Sequence, residues 1–144
     1  MYHRVEKIRN GYMEDPYYSD VLRILENDSN LQLSVKDRRR CMARAKFFSL
    51  EPDGLLTHNP TGALCIPDNK DLKYQILHEA HDSMIGGHFG ERRTASAISR
   101  RFFWRRLCQD VKRYVRGCGA CARTKPSNQK PYGLLQPLNV PDER

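Results

Sequence analysis

The sequence predicts a mostly α-helical fold with a small β element, and three observations lead to this class. Apolar residues recur at helical spacing in several segments along the chain. Between residues 46 and 66, short apolar runs alternate with Pro, Gly, Asp and Asn, which is typical of strands joined by turns. Four side chains of the kinds that bind zinc follow in the second half of the chain, namely His81, His88, Cys118 and Cys121.

Length and composition limit the possible classes of protein. A chain of 144 residues fits one domain or two small ones. It contains no run of 18 or more apolar residues and no apolar stretch after Met1, so we predict neither a membrane span nor a secretory signal. We therefore expect a soluble, intracellular protein.

Five cysteines are an odd number, and two of them already have a predicted metal role, so a secreted disulfide framework is not expected. The other three, Cys41, Cys65 and Cys108, are predicted to be small buried side chains. All five suit a reducing compartment.

Positive charge is concentrated in one segment. The net charge is +8, and residues 92–130 hold 12 Lys and Arg against a single Asp, whereas residues 1–91 hold 12 against 14 acids. Such a segment is either a solvated face or a surface that binds phosphate groups.

The first 68 residues are predicted to form a small α/β extension with its own core. Residues 1–13 lack helical or strand periodicity and are expected to be a mobile arm. Asp15 and Pro16 are typical of a helix start, and the stretch Asn-Asp-Ser-Asn at 27–30 is expected to end that helix. Behind the start, an apolar stripe indicates a packed face, formed by Tyr18, Val21, Leu22 and Leu25.

A second helix is predicted from Ser34, because Ser34 and Asp37 have the spacing of a capping box. It extends to Ala45 and includes a basic cluster that is either a solvated face or a second DNA contact, consisting of Arg38, Arg39, Arg40 and Arg44. Two short strands around residues 52–54 and a third over residues 63–66 complete the extension.

Residues 69–124 are predicted to form a three-helix, helix-turn-helix-like bundle held by one zinc ion. The first helix begins after a cap at Asp68 and ends near His81, and Gly86 and Gly87 then turn the chain. The second helix begins near Glu91 and includes Phe102, with residues 92–106 as a basic recognition helix. The third helix leads to Cys118, and its apolar face is formed by Leu107, Val111, Tyr114 and Val115.

Trp104 is predicted to be a core residue, with stacking on a nucleic-acid base as the alternative. Residues 125–144 lack apolar periodicity and are predicted to be an extended linker.

The chemistry of zinc explains the His and Cys pattern. Zinc takes thiolate and imidazole ligands, and four protein ligands leave no position for a reactive water, so the predicted site is structural. His78 lies three residues before His81 and competes with it as a ligand. Free surface thiols or a dithiol redox pair are the alternatives for Cys118 and Cys121.

Several motifs of the zinc segment occur together in the order of a known family. They are His81-Asp82, Gly87 to Gly90, Arg93-Thr94, Phe103-Trp104, Asp110 to Val115, and Cys118 to Cys121. The segment resembles the amino-terminal His-His-Cys-Cys zinc-binding domain of integrases from gypsy-class long-terminal-repeat retrotransposons. The resemblance covers about residues 46–144 and is loose before that. Arg105 stands where this family usually has Pro, which affects the local turn and leaves the ligands unchanged.

The resemblance implies a function. It predicts the non-catalytic front part of an integrase, which binds element-end DNA and other integrase subunits and acts in the nucleus and in a cytoplasmic element particle. Residues 1–68 resemble the additional module that precedes such zinc domains, and residues 125–144 resemble the linker to a catalytic core that is absent from this sequence. No catalytic residue, small-molecule substrate or membrane partner is predicted. The predicted DNA contacts are Arg92, Arg93, Arg100, Arg101, Arg105, Arg106, Lys112 and Arg113.

A host adaptor derived from such an element, which keeps the zinc fold for protein binding without DNA binding, is the alternative function. A dithiol oxidoreductase is less favoured, because no βαβ pattern surrounds Cys118 and Cys121.

Overall fold

Seven helices and four short strands make up the part of the chain that the structure, a computed structural model, describes: residues 2–26, 34–84, 86–124 and 133. Their order is α1 (Tyr2–Glu14), α2 (Pro16–Leu25), α3 (Val35–Ala45), β1 (Phe48–Leu50), β2 (Leu56–His58), β3 (Ala63–Cys65), α4 (Lys70–His81), α5 (Glu91–Ser99), β4 (Phe102–Phe103), α6 (Leu107–Arg116) and α7 (Gly119–Thr124). The predicted class, mostly helical with a small sheet, is confirmed. None of these helices has both the length and the apolar character that crossing a bilayer requires. The predicted linker and the Asn-Asp-Ser-Asn stretch lie outside the described residues, apart from Gly133.

Helix α1 replaces the mobile arm that we predicted for residues 1–13, so that prediction is wrong. Ile8 and Tyr12 are buried, and the Tyr12 hydroxyl donates a 2.6 Å hydrogen bond to the Cys65 carbonyl oxygen. Gly11 lies against Pro67, where an added Cβ would come within 2.6 Å of the proline ring. The sequence of α1 has only one narrow apolar strip. Contacts with residues distant in sequence therefore stabilise this helix more than its own amphipathic pattern does.

The predicted starts of α2 and α3 are confirmed. The Asp15 carboxylate accepts a 2.8 Å bond from the Tyr17 N–H, and Pro16 occupies the first turn of α2. The second oxygen of Asp15 accepts a 2.9 Å bond from the Asp68 N–H, which ties α2 to the segment before α4. In α3 the Ser34 hydroxyl accepts a bond from the Asp37 N–H.

Asn69, rather than the predicted Asp68, caps α4. Its side-chain oxygen accepts bonds of 3.0 and 3.1 Å from the N–H groups of Asp71 and Leu72. Asp68 lies one residue too early and instead forms a 2.5 Å ion pair with Lys73. This pairing lowers the pKa of the Asp68 carboxyl.

The four strands form one sheet in the order β1-β2-β3-β4. The first three strands are antiparallel, which agrees with the predicted hairpin and third strand. Strand β4 runs parallel to β3, and its Phe102 pairs with Leu64. Strand β4 shows that two predictions are wrong. Helix α5 ends at Ser99, so it does not include Phe102, and residues 92–106 do not form one continuous recognition helix. This segment instead pairs with the edge of β3, where the Leu64 N–H donates a hydrogen bond to the Arg101 carbonyl oxygen.

The hydrophobic core is continuous across the predicted boundary at residue 68. One cluster of buried side chains includes Tyr18 and Phe48 of the extension together with Ile98, Trp104 and Val111 of the zinc segment. The expectation that residues 1–68 have a core of their own is therefore wrong. Trp104 is 2% exposed, which agrees with its prediction as a core residue.

Candidate metal centre

The four predicted ligands meet in space although 40 residues separate the first from the last. His81 is the last residue of α4, His88 lies in the loop before α5, Cys118 lies between α6 and α7, and Cys121 is in α7. His81 is fully buried, Cys121 is nearly so, and the other two are half-buried. Helix α7 was not predicted from the sequence.

The distances between ligand atoms fit one tetrahedral ion. The Cys121 sulfur lies 3.4 Å from His81 Nε2, the Cys118 sulfur lies 3.4 Å from His88 Nδ1, and all four donor atoms lie within 4.8 Å of one another. Zinc bonds of about 2.3 Å to sulfur and about 2.0 Å to nitrogen place the two donor types about 3.5 Å apart at a tetrahedral angle. The four residues are therefore arranged to bind one zinc ion, and His78, which is exposed, is not one of them.

The loop that returns His88 to the metal depends on two glycines. An added Cβ at Gly86 would lie 2.7 Å from the Ala80 carbonyl oxygen, so only glycine fits against the end of α4. Gly87 and His88 both have positive φ, at 53° and 50°, and the His88 N–H donates a 2.9 Å bond to the His81 carbonyl oxygen. A left-handed backbone conformation is uncommon for a residue other than glycine, and here it occurs at His88, which is itself one of the four ligands.

The two cysteines are presented by a helix end followed by a helix start. Gly117 closes α6 by donating to carbonyl oxygens of its last turn, and the Cys118 N–H donates to the Val115 carbonyl oxygen. The chain then turns directly into α7, which directs the Cys121 sulfur to within 3.7 Å of the His88 carbonyl oxygen.

An outer pair of side chains, which sequence reasoning missed, lies against the ligands. The Tyr114 hydroxyl donates a hydrogen bond to Asp82 Oδ2, and Asp82 Oδ1 lies 3.7 Å from His88 Nδ1 and 3.8 Å from the Cys118 sulfur. Burial, together with the hydrogen bond to Asp82, raises the pKa of the Tyr114 hydroxyl well above its usual value. The pair joins α6 to the end of α4 and lies beside the two half-buried ligands, His88 and Cys118.

Replacing Tyr114 with Phe is expected to weaken zinc binding about tenfold without unfolding the chain, because the change removes only the hydroxyl that holds Asp82. Competition with a chromogenic chelator measures the affinity, and circular dichroism checks the fold. Tyr17→Phe is the matched control, since α2 supplies no ligand. Equal zinc affinity in both variants and the wild type would show that Asp82 and Tyr114 do not support the site.

The remaining cysteines divide into two kinds. Cys41 and Cys65 are buried, as predicted, and burial raises the pKa of the Cys65 thiol to about 12. Cys108 is exposed, and its predicted burial is wrong. It follows Leu107 in α6, so its side chain points about 100° away from the buried face of that helix.

The eight predicted DNA contacts are all exposed and lie around α5 and α6. Two are on α5, two follow its end, two precede α6 and two are on α6, in the order Arg92 and Arg93, Arg100 and Arg101, Arg105 and Arg106, Lys112 and Arg113. Their contact with DNA stays a prediction. In the α3 cluster, Arg38, Arg39 and Arg40 are exposed and the Arg44 guanidinium lies 4.4 Å from the centre of the Tyr17 ring.

Comparison with known proteins finds similarity in the zinc segment. Residues 68–127 match the model of the integrase zinc binding domain family. The Tf2-3, Tf2-4 and Tf2-5 transposon polyproteins of Schizosaccharomyces pombe are each 35% identical to the chain over 92 residues, which is 64% of this chain. The chain spans about 7% of the length of these relatives. No solved structure matches it.

Proposed function

We propose that residues 68–127, which match the integrase zinc binding domain family, act as the zinc-binding domain of a long-terminal-repeat retrotransposon integrase, and that the chain uses this domain to bind element-end DNA and to join integrase subunits. The observation on which the DNA part rests is the segment of residues 92–130, with 12 basic residues and one acid. A surface of this charge attracts the phosphate backbone and gives binding with modest sequence preference.

The zinc ion has a structural part in this proposal. When bound, it supplies cross-links between α4, the loop before α5, and α7. The metal thereby fixes the relative placement of the helices that present the basic side chains. DNA strand transfer, the reaction expected of a whole integrase, would need residues outside the ligand set described here, since four protein ligands leave no open metal position.

The proposed assembly of subunits rests on exposed apolar side chains beside the metal. Met84 is fully exposed and Phe89 is 44% exposed, and both lie in the loop between α4 and α5. Exposed apolar groups on one loop favour contact with another protein surface. Sedimentation of the zinc-loaded chain over a range of concentrations tests this proposal, and a monomer at every concentration, with and without DNA, would contradict it.

Replacing Arg100 and Arg101 together with Ala is expected to weaken binding to all DNA sequences alike. For the wild type we expect log K to fall against log salt with a slope of about −3 to −6, and for the variant a slope shallower by about one or two units. Fluorescence anisotropy of a labelled element-end duplex at several salt concentrations, compared with a duplex of scrambled sequence, measures both quantities.

Two results would contradict the DNA proposal. The first is a lack of binding at low salt with zinc present, and the second is an unchanged slope in the double variant. Either result would favour the alternative, a host adaptor that uses the zinc fold for protein binding.

A further inference from the structure

A polar cleft lies where the extension meets the zinc segment, near the start of α6, whereas the two cysteine ligands follow the end of that helix. Its volume is about 380 Å³, and its walls come from α2 with its cap, residues 66–73, the turn at residues 104–106, and α6. Among its lining residues are Tyr17, Trp104, Arg105 and Arg106. Neither half of the chain builds this cleft alone.

The acids that line the cleft already have partners. Both oxygens of Asp15 accept backbone N–H groups, at 2.8 and 2.9 Å. Asp68 pairs with Lys73 at 2.5 Å. Asp110 lies 3.6 Å from Arg113 and accepts a 2.9 Å bond from the indole N–H of the only tryptophan. Each of these three carboxylates is therefore stabilised by donors of its own, and the four cationic side chains that line the cleft outnumber the three acids by one.

Two arginines of the wall make no ion pair with a described residue, although the positive charge of Arg106 contributes to lowering the pKa of the Asp68 carboxyl. Within the described residues, no carboxylate forms an ion pair with Arg105 or Arg106. The Arg105 guanidinium lies 5.1 Å from the centre of the Tyr17 ring, and the Arg44 guanidinium lies 4.4 Å from the same centre. Tyr17 thus holds two guanidinium groups beside its ring, and Arg106 follows Arg105 directly in the cleft wall, so the local positive charge favours an anion in the cleft.

We propose that this cleft binds one phosphate group, with Arg105 and Arg106 as its ligands and Tyr17 as the residue that positions Arg105. Guanidinium groups present paired N–H donors that match the oxygens of a phosphate. If the phosphate comes from the DNA backbone, which rests on the proposed function, the extension takes part in DNA binding through α2. The site then joins the two halves of the chain around one anion.

The tryptophan provides a direct probe, because Trp104 is the only one in the chain and lines the cleft. Titration of the zinc-loaded protein with potassium phosphate is expected to give a saturable change in its emission, whereas potassium chloride at equal ionic strength gives none. Replacing Arg105 and Arg106 with Ala is expected to weaken this binding about tenfold or more. Replacing Arg38 and Arg39 with Ala, which removes the same charge from exposed positions of α3, is expected to leave it unchanged.

The proposal is overturned if phosphate and chloride act alike, if the change does not saturate, or if the two double variants respond equally. Lys at positions 105 and 106 keeps the charge, so partial rescue by Lys, with unchanged circular dichroism, separates loss of the ligand groups from misfolding.

A second experiment, which measures binding of duplex DNA, identifies the source of the phosphate. If a DNA phosphate occupies the cleft, the Arg105 and Arg106 double variant weakens duplex binding about tenfold and makes the salt slope shallower by about one or two units. If duplex binding is unchanged while phosphate binding is lost, a free phosphate is the ligand and the DNA source is wrong. If the wild type binds phosphate but no duplex at all, the proposed DNA function fails and the phosphate site stands.

Discussion

Removal of zinc is expected to unfold α4 to α7. The four ligands lie in separate segments between α4 and α7 that the metal would join to one another, and a structural zinc in a small domain provides an apparent binding free energy of about 10–16 kcal/mol. Chelation, or replacement of Cys121 with Ser, should therefore abolish the helical signal of this segment in circular dichroism. Because the hydrophobic core continues into the extension, we expect the extension to be destabilised as well.

Two matched controls make this prediction specific. Cys108→Ser removes an exposed thiol from α6, and His78→Asn removes an exposed imidazole one turn before His81. Both variants should bind one zinc per chain and keep the wild-type spectrum, unlike Cys121→Ser and His81→Asn. Full helicity after verified metal removal would contradict the structural role of the metal.

Replacing Trp104 with Ala is expected to lower the free energy of unfolding of the zinc-loaded chain by about 3–5 kcal/mol. The indole is 2% exposed, packs in the cluster shared by the two halves, and donates its N–H to Asp110. Urea denaturation followed by far-ultraviolet circular dichroism measures the change. The variant and the wild type should each unfold in one transition, because one core links the extension to the zinc segment.

Phe47→Ala is the control for this experiment, because Phe47 is an aromatic residue that is 54% exposed. Its replacement should change the free energy of unfolding by no more than about 0.5 kcal/mol. Two separate transitions in the wild type, with only the later part of the chain affected by the Trp104 change, would show that the two halves have independent cores.

Features with a local cause could be predicted from the sequence. The caps at Asp15 and Ser34 depend on a side chain and a backbone group two or three residues apart, and both are confirmed. The turn with Gly54 between β1 and β2 is similarly local. The four metal ligands were predicted correctly because few residue types bind zinc and their spacing is distinctive.

Features with a distant cause were missed. Helix α1 depends on contacts of Tyr12 and Gly11 with residues 56 to 67, and its own periodicity is weak. Strand β4 exists because the edge of β3 pairs with residues that lie almost 40 positions later. The local sequence pattern does not reveal this pairing, and the preceding helix was therefore predicted to continue through that segment.

The metal site also combines features that could be predicted from the sequence with features that could not. Its ligands could be read from the chain, whereas the outer contact between Asp82 and Tyr114 joins residues 32 positions apart. A signal was present, because Asp82 directly follows a ligand and Tyr114 precedes Cys118 by one helical turn. Neither fact indicates that the two side chains meet until α4 and α6 are placed together.

X-ray absorption spectroscopy of the zinc-loaded chain tests the central claim most directly, because it counts the atoms bound to the metal and identifies their type. We predict two sulfur neighbours at about 2.3 Å and two nitrogen neighbours at about 2.0 Å, with no further ligand. In Cys118→Ser, the zinc that the weakened site still binds at excess metal should have one sulfur neighbour fewer. A wild-type shell of oxygen and nitrogen alone, or one with an additional water ligand, would contradict a closed site formed by His81, His88, Cys118 and Cys121.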